Sequence, residues 1–146
     1  MIKTNNTSPI KKIDRRGLRA LAGTVWRAYK SEKCDISLTL VSIDEIVRLN
    51  KSYLQKNQAT DVIAFHLGEN PAGHTLADIY ICPQVAAQNA NHFSCDLHSE
   101  LARLVVHGML HVIGYDDATD RQRTEMRRLE DRFVDKYLTD IYHEKK

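Results

Sequence analysis

Residues 61–81, DVIAFHL (61–67), GENPAGH (68–74) and TLADIYI (75–81), decide the fold. Both outer segments are short, rich in apolar and β-branched residues, and too brief for helices of ordinary length. Between them stand Gly68, Pro71 and Gly73, residues that punctuate a chain at turns. The reading is two strands joined as a hairpin or meander. A third strand lies upstream at Asp35–Val41 (DISLTLV), where apolar and polar positions alternate as on a half-buried sheet.

Helical spacing surrounds this strand cluster on both sides. Leu18, Leu21, Ala22, Val25, Trp26 and Tyr29 recur at helical intervals after Asp14, a suitable cap. Ser42 with Glu45 three residues later has the pattern of a capping box, opening a helix with Ile43, Ile46, Val47, Leu49 and Tyr53 on its apolar face. Pro83 opens a third helix, to about His92. A fourth starts at Asp96, carries Leu97, Leu101, Leu104, Val105, Leu110 and Val112, and stops at Gly114, which adopts left-handed backbone at little cost. The last, about Asp120 to Tyr137, buries Met126, Leu129, Phe133 and Val134. Residues 1–12 form a short strand or a loose terminus, and 138–146 a loose tail. The expected fold is a single α+β domain over residues 1–146, with a small mixed sheet of about four strands packed with about five helices.

With 42% apolar and 27% charged residues, the 146-residue chain has an ordinary globular composition and needs no disulfide staples. Its net charge of +2 is too small to imply a nucleic-acid partner, so any basic surface is local. The three cysteines, Cys34, Cys82 and Cys95, form no CxxC pair and read as small buried hydrophobes in a reducing cytoplasm. The start, MIKTNNTSPIKK, lacks the apolar core of a signal peptide. No segment approaches the roughly 18 apolar residues of a membrane span.

Chemistry concentrates in HGMLHVIGYDD, residues 107–117. His107 and His111 are four apart on a helix, so both imidazoles project from one face. Such a pair can share one zinc, and the break at Gly114 lets Asp117 return a carboxylate to it. Two histidines and one carboxylate leave a fourth position for water, the pattern of a catalytic zinc site at the end of a helix. The same spacing also suits two half-buried, hydrogen-bonded histidines with no metal.

The string resembles the signature of the YbeY family of metal-dependent endoribonucleases, H-G-x-L-H-x-x-G-Y-D-H, with the final ligand changed. Upstream, Leu49, Asn50 and Tyr53 are similar to the family's L-N-x-x-Y-R. Residues 60–65 are similar to T-D-V-L-S-F-P, residues 78–82 resemble its D-I-x-I-C strand, and Glu100 with Leu101 precedes the metal helix as in the family. The resemblance implies a cytoplasmic enzyme that cuts single-stranded RNA, matures the 3′ end of small-subunit ribosomal RNA and polices ribosomes. It implies one zinc per chain on His107, His111 and Asp117, at the floor of a cleft walled by the sheet, with zinc-bound water as the catalytic group.

Three positions depart from the family pattern. Asp117 replaces its third histidine, Leu54 its arginine after Tyr53, and His66 its proline. An arginine could clamp phosphate bidentately and leucine cannot; Lys51, Lys56 and Asp61 are the substrate-binding candidates. His66 either contacts phosphate or works as an acid or base, or else stands in solvent at a strand end. Asp116 either orients a ligand histidine or eases the turn. Cys95 and His98 suggest a nucleophile and base but lack a third member, and His74 and His92 read as solvent-facing. The basic run from Arg121 to Lys136 alternates with acids, as on a solvated helix with local ion pairs, or else forms a phosphate-binding face. A zinc peptidase of the HExxH kind would need its glutamate base where Gly108 stands. The alternative to an endoribonuclease is therefore a catalytically weak or inactive zinc-binding factor associated with ribosomes.

Overall fold

The structure is a computed structural model describing residues 1–55, 58–92 and 94–144. Its element order is β1 (Ile2–Asn6), α1 (Arg15–Tyr29), β2 (Cys34–Leu40), α2 (Ile43–Leu54), β3 (Val62–Glu69), β4 (Thr75–Ile81), α3 (Pro83–His92), α4 (Leu97–Ile113) and α5 (Asp120–Glu144). The four strands form one mixed sheet in the order β1-β2-β4-β3. β1 and β4 both run parallel to β2, whereas β3 pairs antiparallel with β4 as the hairpin its turn residues announce. Gly68 and Gly73 take φ of 89° and 83° in that connection, values that other residues rarely adopt.

Period-two patterning places Ile36, Leu38 and Leu40 of β2 beside Ala77, Ile79 and Ile81 of β4 on one buried face. Against that face pack Leu18, Leu21, Ala22, Val25 and Trp26 of α1 and the central helix α4, which α1, α3 and α5 enclose on its other sides. The opposite face is covered at one end by α2, where Ile46, Val41, Ile63 and Cys82 form a smaller core.

Caps set the helix limits. Asp14 accepts from Gly17 N–H at 3.0 Å, and Asp96 from Ser99 N–H at 2.7 Å. Ser42 accepts from Glu45 N–H at 3.2 Å, but the Glu45 carboxylate pairs with Arg48, so the capping box is half made.

Both termini carry regular structure over their described part. Residues 2–6 pair with Ile36–Leu40, and Ser8, fully buried, bonds Asn6 Oδ1 at 2.7 Å. At the other end α5 continues past Tyr137 to Glu144. A largely polar strand such as IKTNN carries little signal of its own; parallel pairing across α1 makes it a strand. Cys34 and Cys82 are buried as expected, but Cys95 is exposed. No helix among the described residues is long and apolar enough to cross a membrane.

Candidate metal centre

The central helix α4 is held against the sheet at Gly108. A Cβ there would lie 2.9 Å from Ile79 Cγ2, closer than packed side chains tolerate. The close approach also explains why no glutamate base could occupy this position on the helix. His107 and His111 flank the contact on the α4 face that turns towards β3. Gly114, at φ 126°, ends the helix, and its N–H donates to the carbonyls of Leu110 and His111. Residues 115–117 then turn back, with Asp117 N–H donating to Asp116 Oδ1 at 2.8 Å.

Three ligand atoms converge as a result. His107 Nε2 and His111 Nε2 are 3.1 Å apart, and Asp117 Oδ2 lies 3.5 and 3.4 Å from them. A tetrahedral zinc with bonds of about 2.0–2.1 Å keeps its ligand atoms about 3.3 Å apart. The triangle already has that size, so the three residues fit such an ion. They could hold a metal, and they are the only such His/Cys/Asp/Glu group among the described residues.

The electrostatics favour a cation. Burial alone would lower the His107 pKa. The hydrogen bond and charge of Glu130, with the charges of Asp117 and Asp61, overcome it and raise the value. A metal ion can take the place of that proton. Asp61 lies behind, its carboxylate accepting from Asn89 at 3.2 Å; burial raises its pKa, while the charge of His107 opposes the rise. Burial, then the charge of Asp61, also raises that of Glu100.

A cleft of about 440 Å³ opens over the triad, walled by residues 60–64, His66, Val112 and Leu54. His66 lines it as an exposed residue and accepts from Gly68 N–H through Nδ1 at 3.2 Å, so its neutral ring carries hydrogen on Nε2. Leu54 stands in the wall. Asp61 lines the cleft too, but Lys51 is exposed on α2 and does not. Lys56 lies outside the described residues.

The structure decides between several readings. Asp116 is exposed and accepts from the turn backbone; the residue that bonds a candidate ligand histidine is Glu130, at 2.7 Å from His107 Nδ1. Glu130 had a signal in the sequence: it occupies the apolar stripe of α5, four residues from both Met126 and Val134, where an acid has no ordinary reason to be. His74 is half-buried and bonds Asp35 at 3.0 Å. His98 Nε2 is 2.9 Å from Tyr137 OH, while the Cys95 thiol approaches Glu100, so no nucleophile–base pair forms. The basic residues of α5 are solvated, and some pair locally, as Arg128 does with Glu125 at 2.6 Å.

Fold and cleft define the class, a small α+β domain with a candidate metal centre at the end of its central helix. Comparison with known proteins makes the assignment particular. Residues 3–138 match the family model described as Endoribonuclease YbeY. The Endoribonuclease YbeY of Salinibacter ruber is 34% identical over 137 residues, covering 89% of this chain and 87% of the relative. That of Heliobacterium modesticaldum is 36% identical over 118 residues, covering 73% and 71%. A Thermotoga maritima protein of known solution structure superposes with a TM-score of 0.70 at 27% identity, over 99% of this chain and 93% of the other. The chain belongs to the YbeY endoribonuclease family.

Proposed function

We propose that this protein is a zinc-dependent endoribonuclease of the cytoplasm. It cuts single-stranded RNA, acting on the 3′ end of small-subunit ribosomal RNA during maturation and on defective ribosomes. The observation that carries the reading is the ligand triangle, with edges of 3.1–3.5 Å, at the floor of an open cleft in a chain of this family. His107, His111 and Asp117 would hold one zinc ion. When bound, that ion supplies Lewis acidity, making water acidic near neutral pH and stabilising charge on phosphoryl oxygens.

The remaining work falls to the chain's own residues. His66 presents its Nε2–H to a phosphate oxygen from the cleft wall. Asp61, whose buried carboxyl holds its proton more tightly than usual, meets a ribose hydroxyl or a proton in transit. Lys51, exposed on α2 outside the cleft lining, would contact the RNA backbone, and contacts of this kind make RNA binding fall with salt. Asp116 keeps the turn that returns Asp117.

A second reading is favoured by Leu54. A leucine in the cleft wall cannot clamp phosphate, which suits a weak or inactive zinc-binding factor associated with ribosomes. Elemental analysis together with cleavage of single-stranded RNA, in wild type and His111→Ala, separates the two. One zinc per chain and metal-dependent cutting, both lost in the variant, support the enzyme. Zinc without cutting supports the binding factor, and absence of zinc overturns both.

A further inference from the structure

The ring of His107 is gripped from behind by a residue on another helix. Glu130 Oε2, on α5 and 23 residues further along the chain, lies 2.7 Å from His107 Nδ1. A carboxylate can only accept, so Nδ1 carries the hydrogen and the Nε2 lone pair is left facing His111 and Asp117. Glu130 is only 8% exposed, so water is poorly placed to take over its role. Its second oxygen, Oε1, accepts from Arg103 Nη1 at 3.3 Å, and Arg103 Nη2 reaches Asp131 Oδ1 at 2.7 Å. Arg103 stands one turn before His107 on α4, so the guanidinium and the imidazole reach the same carboxylate from one helix face.

We propose that Glu130, braced by Arg103, is the positioning residue of the metal centre: it fixes the tautomer and ring orientation of His107, so that Nε2 is offered to the metal before any metal arrives. The inference rests on the metal-centre reading above. α5 has a second task on this account. Besides burying Met126 and Leu129, it delivers the group that keeps the α4 histidine ready, so docking of α5 prepares the site for the metal. Support of this kind is commonly worth roughly 10–100-fold in metal affinity.

The test uses the full chain and zinc alone, with affinity measured against a competing chelator. Glu130→Leu is expected to weaken zinc by about 10–100-fold. Glu130→Gln keeps an acceptor oxygen of the same shape and should recover most of that loss; Arg103→Met, which frees the carboxylate without removing it, should lose less than Glu130→Leu. A second readout needs no metal. Long-range proton–nitrogen spectra of the metal-free protein, above the imidazole titration, should show His107 as the Nδ1–H tautomer in wild type. In Glu130→Leu it should shift towards Nε2–H. Unchanged zinc affinity in Glu130→Leu, or an Nε2–H tautomer in wild type, overturns the inference. If wild type binds no zinc, the metal-centre reading fails and takes the inference with it, and the three variants then read alike in the chelator assay. Melting curves in chelator identify any variant that has merely lost its fold; should Glu130→Leu be one, the wild-type tautomer still decides, since Nε2–H there overturns the inference.

Discussion

Gly108→Ala should destabilise the protein although alanine is the better helix former. The new Cβ would stand 2.9 Å from Ile79 Cγ2 and 3.3 Å from its Cδ1. Ile79 is wholly buried at the centre of the sheet and cannot swing into solvent. In a helix interior alanine gains about 1 kcal/mol over glycine. Forcing a methyl into a filled core costs about 1–3 kcal/mol. The clash outweighs the gain in helix propensity, leaving a net loss of about 1 kcal/mol. Urea unfolding with excess chelator, fitted with a common slope, reads this difference without interference from bound metal. The steric origin is tested by repeating the substitution in an Ile79→Ala background. Ile79→Ala alone should cost about 2–5 kcal/mol through the cavity it leaves. There the methyl at 108 meets no Ile79 branch, so Gly108→Ala should change sign and stabilise, by up to about 1 kcal/mol. A stabilising Gly108→Ala in the wild-type background would refute the packing argument. So would the same effect in both backgrounds.

Other outcomes follow from the site and its supports. Leu54→Arg should lower the KM for single-stranded RNA and steepen the dependence of log binding on log salt by about 0.7, one added phosphate contact; fluorescence polarisation of a short oligonucleotide across salt concentrations measures it, and an unchanged slope means that position 54 does not reach phosphate. Zinc at about 1,000 times its dissociation constant should stabilise wild type by about 4 kcal/mol, and His111→Ala should melt at the same temperature with zinc or with chelator. Asp96→Ala should cost about 1 kcal/mol by uncapping α4. Hydrogen bonds from the backbone and side chain of Ser99 hold the Asp96 pKa below its ordinary value. Its contribution is therefore complete above about pH 4 and fades as pH falls through the depressed folded value, so the gap between wild type and variant in urea should close in acid.

Much of the candidate site was legible because its signals are local. His107 and His111 share a helix face at a spacing that helical geometry dictates. Gly114 ends that helix for a reason visible in its own lack of a side chain, and Asp117 follows within a single turn. Resemblance to the family added the meaning of the pattern, and the matching family model and relatives agree with it. Glu130 was harder to read because its partner is 23 residues away and because acids are common along α5. Only its place on the apolar stripe marked it. Asp116, nearer in sequence, suited a histidine partner and a turn residue equally, and backbone geometry turned its carboxylate to Asp117 N–H. Cys95 was misjudged for a related reason: burial depends on what packs over a residue, and composition does not report that.

By itself the amino-acid order determined the elements with strong periods and caps: the alternating strands β2 and β4, the hairpin turn, the helices begun by Asp14, Ser42 and Asp96, and the candidate metal-ligand trio. Each is set by interactions within a few residues, where spacing and chemistry suffice. Tertiary structure alone decided that IKTNN is a strand, since a polar edge segment becomes one only when β2 offers it a parallel partner. It also decided that β4 lies between β2 and β3, that Gly108 is needed for contact with Ile79, and that Leu54 faces the cleft. These depend on which surfaces bury one another across long stretches of chain. Burial is a property of the assembled core, and no local window of sequence contains it.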